Sequence, residues 1–64
     1  MPLIRVELME GRDIAQKREL ARQLTEVFVA VCGGKPAAVQ VLIDDKSPGD
    51  WAVAGQLLCD RNGT

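Results

Sequence analysis

The first residues of the chain alternate between two kinds of position. The two faces of this alternation carry Ile4, Val6 and Leu8 on one side and Leu3, Arg5, Glu7 and Met9 on the other. A period of two with β-branched side chains is typical of a strand that packs one face against a core. The pattern therefore predicts a β-strand over residues 2–9.

The spacing of apolar residues then changes to that of a helix. The apolar stripe consists of Leu20, Leu24, Val27, Phe28 and Val31, with charged residues on the remaining positions, as in an amphipathic helix. Asp13 and Gln16 have the spacing of a capping box at the start. Gly33 and Gly34, followed by a lysine and a proline, are typical of a helix end. The sequence predicts a helix over residues 14–32.

A second alternating segment, residues 38–44, places Val39, Val41 and Ile43 on one face. A turn-rich segment over residues 45–50 precedes residues 51–54, which we expect to form a short returning strand or hairpin. The connection between the two long strands is long enough to contain a helix, which favours parallel pairing with a right-handed crossover. We therefore predict an α/β fold: a single β-α-β domain over residues 1–64, with one helix on one face of the sheet.

The other face of such a sheet would expose apolar side chains, namely Leu3, Met9, Ala38 and Leu42. A contiguous exposed apolar surface on a small domain argues for a subunit interface. A chain of 64 residues buries only about 60% of its unfolded surface, and oligomerisation is one remedy. We expect a closed, symmetric oligomer with any cleft built between chains.

Composition excludes several classes of function. The net charge is −1 and there is no basic run, so no nucleic-acid partner is expected. The apolar start is too short for a signal sequence or a membrane span, which predicts a soluble, cytoplasmic protein. Cys32 and Cys59 are too far apart for a metal knuckle, and the chain has no histidine, so we expect neither metal nor cofactor. Both cysteines are interpreted as free structural thiols in preference to a disulfide.

Pro2 is the candidate general base. If Met1 is removed, Pro2 has a free secondary amine in a chain without histidine. An α-amino group has a pKa of about 7.7–8.0 in model peptides, and desolvation or a nearby guanidinium lowers it. A retained Met1 would convert this amine into an amide without useful basicity. The alternative is a proline with only a structural role at the first residue of a strand.

The order and spacing of these segments resemble the 4-oxalocrotonate tautomerase family. The shared features are Pro2 after the initiator, residues 8–12 at the end of the first strand, residues 16–18 in the helix, residues 39–43 in the second strand, and Asp50 and Trp51 before Ala54 and Gly55. The resemblance implies β-α-β subunits assembled as a hexamer, with active sites that combine residues of neighbouring chains. It also implies a cofactor-independent isomerase that interconverts the enol and keto forms of a 2-oxo acid.

The resemblance assigns roles to individual residues. Pro2 matches the general base, and Arg12 matches the arginine that binds a substrate carboxylate, for which the guanidinium fork is suited. Trp51 matches an aromatic residue in the wall of the site. Without the resemblance, Arg12 is equally well a solvated turn residue and Trp51 an anchor at a subunit interface.

Gln40 departs from the family pattern. Members that act on dicarboxylate dienols carry an arginine at this position, whereas glutamine donates a hydrogen bond without a charge. Three alternatives follow: a different substrate, a weak activity, or an arginine supplied by a second, non-identical subunit. The runner-up hypothesis is accordingly a weakly active or non-catalytic subunit of a heterohexamer, and the natural substrate stays open.

Overall fold

Two parallel strands connected through a long helix form the frame of the subunit. The computed structural model describes residues 2–61; the expected removal of Met1 therefore concerns a residue outside the described part. The elements are β1 (Leu3–Met9), α1 (Ile14–Cys32), β2 (Gln40–Lys46), β3 (Ala52–Val53) and β4 (Gln56–Leu57). Short 3₁₀ turns lie at Pro36–Ala38, Pro48–Asp50 and Leu58–Asp60. The predicted β-α-β architecture is confirmed.

The parallel pair β1–β2 follows the predicted alternation of faces. Its register runs from Leu3 beside Gln40 to Met9 beside Lys46. The partly buried positions on the helix side are Ile4, Val6, Leu8, Val41 and Ile43. The predicted bounds of the second strand, residues 38–44, were wrong by two residues at each end. Pro36 opens a 3₁₀ turn in which the Ala38 N–H donates to the Lys35 carbonyl at 2.9 Å, because its fixed φ suits the first position of a turn.

The helix α1 has the predicted bounds and both predicted ends. The Gln16 N–H donates to the Asp13 carboxylate at 2.8 Å, and the Asp13 N–H donates to Gln16 Oε1 at 3.0 Å. This reciprocal pair satisfies two backbone donors that the first turn would leave unpaired. At the other end, Gly33 adopts a φ of 82° and its N–H donates to the Val29 carbonyl at 2.9 Å. Glycine adopts such a φ without steric cost.

Polar contacts hold the helix surface and tie it to the sheet. On the solvent side, hydrogen bonds from Arg22 and then Gln23 lower the pKa of Glu19 to about 2. Lys17 Nζ lies 2.5 Å from the Asp45 carboxylate, which joins α1 to β2. Asp44 lies on the opposite face of the strand, where its carboxylate is 3.4 Å from Lys46 Nζ. The two adjacent aspartates therefore do not face each other, as the alternation of a strand requires.

The single subunit leaves much of its apolar surface uncovered. In the described part of the chain no residue is fully buried. Leu3 and Leu42, on the outer sheet face, are 50% and 49% exposed, as the sequence predicted. Val27 and Val31 are 61% and 78% exposed, although the helical stripe placed them towards the core. The reason is that a sheet of two strands is too narrow to cover the whole apolar stripe of the helix.

The prediction that Met9 and Ala38 are exposed on the outer sheet face was wrong, because both are partly shielded. Met9 lines a cavity with Pro48 and Leu58 of the C-terminal segment, and that segment accounts for its shielding. Ala38 lies in the turn that precedes β2 and is not a strand residue.

The C-terminal segment forms the predicted hairpin. Ala52 pairs with Leu57 and Val53 with Gln56, and the connecting residues Ala54 and Gly55 have φ values of 54° and 80°. Positive φ at both central residues is typical of the tight turn that matches the twist of a hairpin. No helix within residues 2–61 is long and apolar enough to cross a membrane.

Candidate functional site

The four predicted site residues are divided between the two ends of the parallel sheet. Pro2 and Gln40 lie at the amino ends of β1 and β2, where the Gln40 N–H donates to the Pro2 carbonyl at 2.9 Å. Arg12 follows the carboxyl end of β1, and Trp51 follows that of β2. A strand rises about 3.3 Å per residue, so the first and last of the seven residues of β1 are about 20 Å apart. One subunit therefore does not bring Arg12 to Pro2.

Pro2 lies in the wall of an open cavity of about 420 Å³. The end of α1, the turn after it and the start of β2 supply the other walls. The lining residues are Pro2, Phe28, Cys32, Gly33, Gly34, Lys35, Ala38 and Val39. Carbon-rich walls next to an amine disfavour its protonated form, because they replace water that would solvate the charge. A free amine at Pro2 would therefore stay neutral more readily in this cavity than in water.

The backbones of Gln40 and Pro2 are hydrogen-bonded, but Gln40 does not line the Pro2 cavity. Its position on β2 places its side chain on the outer sheet face with Leu3 and Leu42, and Gln40 is not among the residues that line the cavity. Neighbouring positions of a strand point to opposite faces, so Val39 faces the cavity and Gln40 does not. Within one subunit, Gln40 and Pro2 do not face a common space.

Arg12 lines a different cavity, of about 290 Å³, with Leu8, Gln16, Lys17 and Leu20. Its Nη1 donates to the Met9 carbonyl at 2.9 Å, which fixes the guanidinium at the end of β1. A guanidinium has five N–H donors, so this bond leaves donors that could bind a carboxylate. Lys17, the other cation in this wall, is already paired with Asp45.

Trp51 connects the β2 segment to the hairpin. It follows the turn Pro48–Asp50, is partly buried, and its carbonyl accepts the Leu58 N–H at 2.8 Å. Trp51 lines neither the Pro2 cavity nor the Arg12 cavity. Its role as the wall of a site accordingly stays a prediction.

Two residues that line the Pro2 cavity, Cys32 and Lys35, were not singled out for a site by sequence analysis. The length of the helix already indicated that these two residues lie near Pro2. A helix of 19 residues spans about 28 Å, which exceeds the length of β1. The helix runs antiparallel to the strands. The residues directly after it must therefore return to the start of β1.

Residues 2–61 contain no group of three or more side chains suited to hold a metal ion, and Cys32 and Cys59 are free and exposed.

Comparison with known proteins agrees with this architecture. Residues 2–61 match the family model of the tautomerase enzymes. A probable tautomerase of Ralstonia nicotianae is 38% identical over 64 residues, which are 100% of this chain and 98% of that protein.

Solved structures are similar over the same length. The crystal structure of YwhB, a homologue of 4-oxalocrotonate tautomerase, has a TM-score of 0.91 at 33% identity and covers 95% of this chain and 100% of its own. A heterohexamer 4-oxalocrotonate tautomerase from Chloroflexus aurantiacus has a TM-score of 0.86 at 35% identity, covering 94% and 97%. The resemblance seen in the sequence is confirmed, and the chain belongs to the tautomerase enzyme family.

Proposed function

We propose that this protein is a cofactor-independent tautomerase that interconverts the enol and keto forms of a 2-oxo acid, with the amine of Pro2 as general base. The observation that supports this proposal is the open cavity at Pro2, whose walls are largely apolar. The family supplies the class of reaction. The open cavity supports the choice of Pro2 as the base, because a substrate in this cavity would lie beside it.

The reaction needs one group that moves a proton between oxygen and carbon. The neutral amine of Pro2 takes the proton from the enol hydroxyl. As the C=O bond forms, the C=C electrons take this proton from the protonated amine at carbon 3, which regenerates the neutral base. No atom is gained or lost overall, so no oxidant or cofactor is required. Such positioned proton transfer contributes about 10²–10⁴-fold to a rate, provided that Met1 has been removed.

A complete site on this proposal needs more than one chain. Arg12, the proposed partner of the substrate carboxylate, follows the end of β1 that is remote from Pro2. The exposed side chains Leu3 and Leu42 offer apolar surface for a second copy. We propose a symmetric assembly, a hexamer, in which neighbouring subunits bring Arg12, Gln40 and Trp51 to the Pro2 cavity.

Replacing Arg12 with alanine tests the carboxylate contact. Hydrogen bonds to charged groups contribute about 1.5–3 kcal/mol, so KM for a 2-oxo acid should rise about 10- to 100-fold while kcat changes much less. The assay follows exchange of the carbon-3 protons of 2-oxohexanoate for deuterium by NMR. Arg18→Ala is the matched control, because Arg18 is an exposed helix residue outside the three cavities. An unchanged KM in Arg12→Ala would remove Arg12 from the site.

Alkylation of Cys32 tests whether the Pro2 cavity is the place of reaction. Cys32 is exposed and lines this cavity, so the carbamidomethyl group left by iodoacetamide should occupy it and abolish most of the exchange activity. Excess 2-oxohexanoate should slow the inactivation.

The two cysteines provide their own controls for this experiment. A Cys59→Ser protein should be inactivated like the native chain, whereas Cys32→Ser should keep its own untreated rate in the reagent. Full activity after stoichiometric labelling of Cys32, verified by mass, would place the reaction elsewhere.

A second candidate is a weakly active or non-catalytic subunit of a heterohexamer. Gln40 favours it, because glutamine brings no charge to a position where the resemblance implies arginine. The related heterohexamer from Chloroflexus aurantiacus supports the idea that two different chains can share such an assembly. The activity of this chain purified alone separates the two candidates.

A further inference from the structure

The Pro2 cavity contains a cation that belongs to the same chain. We infer that Lys35 binds the second carboxylate of a dicarboxylic 2-oxo acid, and so makes this protein selective for dicarboxylates although position 40 is a glutamine. This inference rests on the proposed function of the cavity. It concerns the class of substrate and not the proton transfer itself.

The backbone at Lys35 is fixed while its side chain is unengaged. Lys35 has an extended conformation, with φ −104° and ψ 138°, as the following proline requires. Its carbonyl accepts the Ala38 N–H at 2.9 Å. Lys35 is exposed, and its ammonium makes no ion pair within residues 2–61. The charge is therefore available to a ligand.

The charge of the cavity wall is set by this one residue. Among the eight described lining residues, Lys35 is the one with a charged side chain, and none is a carboxylate. Lys35 is exposed in the free subunit, but a substrate that fills the cavity displaces water from between its carboxylate and the ammonium. This displacement lowers the local dielectric constant and strengthens their attraction. The wall is also open, since no described atom outside the adjacent residues lies within 4 Å of the position where a Cβ would stand on Gly33 or Gly34.

A structural role for Lys35 makes a different prediction. Lys35 follows the carboxyl end of α1 by three residues, and cations near this end stabilise a helix through its dipole. That role would affect thermal stability and would not distinguish one substrate from another. Binding of a second carboxylate would affect KM for dicarboxylates alone. The two roles are therefore separated by a pair of substrates of equal length.

The test compares 2-oxoadipate with 2-oxohexanoate, which differ in the second carboxylate. Kinetic constants for proton exchange at carbon 3 are measured by NMR in deuterated buffer for the native protein, Lys35→Gln, Lys35→Arg and the control Arg18→Gln. Lys35→Gln should raise KM for 2-oxoadipate about tenfold or more and leave KM for 2-oxohexanoate unchanged. Lys35→Arg should keep the preference for 2-oxoadipate, because it keeps the charge.

Two outcomes would overturn the role of Lys35 and leave the proposed function standing: equal KM changes for both acids, or no change for either while the native protein is active. If the native protein catalyses carbon-3 proton exchange in neither acid, the proposed function fails. Calorimetric titration with 2-oxoadipate then tests whether Lys35 binds the second carboxylate. Binding about tenfold weaker in Lys35→Gln supports the site. Equal binding, or no binding to the native protein, overturns it.

Discussion

An amino-terminal extension that places the nitrogen of Pro2 in a peptide bond should lower kcat by about 10²–10⁴-fold, the usual contribution of a general base. An amide nitrogen does not take up a proton near neutral pH, whereas a free α-amino group has a pKa of about 7.7–8.0. KM should change little, because the proposed carboxylate contacts are made by other residues. Rates of carbon-3 exchange in 2-oxoadipate, together with the intact mass of each preparation, provide the measurement.

Two controls separate this loss from a folding defect. The same extension at the carboxyl end should leave the rate unchanged, and Pro2→Ala, which offers a primary amine, should lose less than the extended chain. Circular dichroism verifies that all variants are folded. Full activity in a chain whose mass proves the extension would exclude Pro2 as the base. Retention of Met1 in the native chain would instead favour the hypothesis of a non-catalytic subunit.

Most of the fold was predictable because short-range chemistry decides it. The capping box of Asp13 and Gln16 and the glycine at position 33 set the bounds of α1, and both are local signals. The start of β2 was placed too early because Pro36 favours a turn over continuation of an extended pattern. The exposure of Val31 depends on the width of the sheet, which the periodicity of a single helix does not contain.

The sequence indicated candidate site residues but not their arrangement within one subunit. Pro2 was identified from its position in the sequence, and the resemblance added roles for Arg12, Gln40 and Trp51. The separation of these four residues into two groups follows from the parallel register of β1 and β2. Lys35 was missed because a lysine before a proline is an ordinary feature of a loop. The length of α1 and the crossover together indicate that this loop returns to Pro2.

The separation of Pro2 from Arg12 leads to a prediction about mixed assemblies. If a site takes Pro2 from one chain and Arg12 from a neighbour, a Pro2-blocked chain and an Arg12→Ala chain complement each other. After the two impaired chains are unfolded together in equal amounts and refolded, about one quarter of the sites should contain both native residues in a symmetric assembly. The measurement is kcat/KM for 2-oxohexanoate, compared with the two variants refolded separately.

A second mixture tests the same arrangement of sites without relying on the refolding yield of the first mixture. The native chain is refolded with an equal amount of a chain that carries both changes. Sites built between chains should again retain about one quarter of the native kcat/KM, whereas sites built within one chain should retain about one half. Complementation in the first mixture and one quarter in the second would establish that the catalytic base and the carboxylate-binding arginine come from different subunits. No complementation, together with one half, would mean that the effect of Arg12 is confined to its own chain and would overturn the shared site. Because the ends of β1 are about 20 Å apart, that effect would then be indirect.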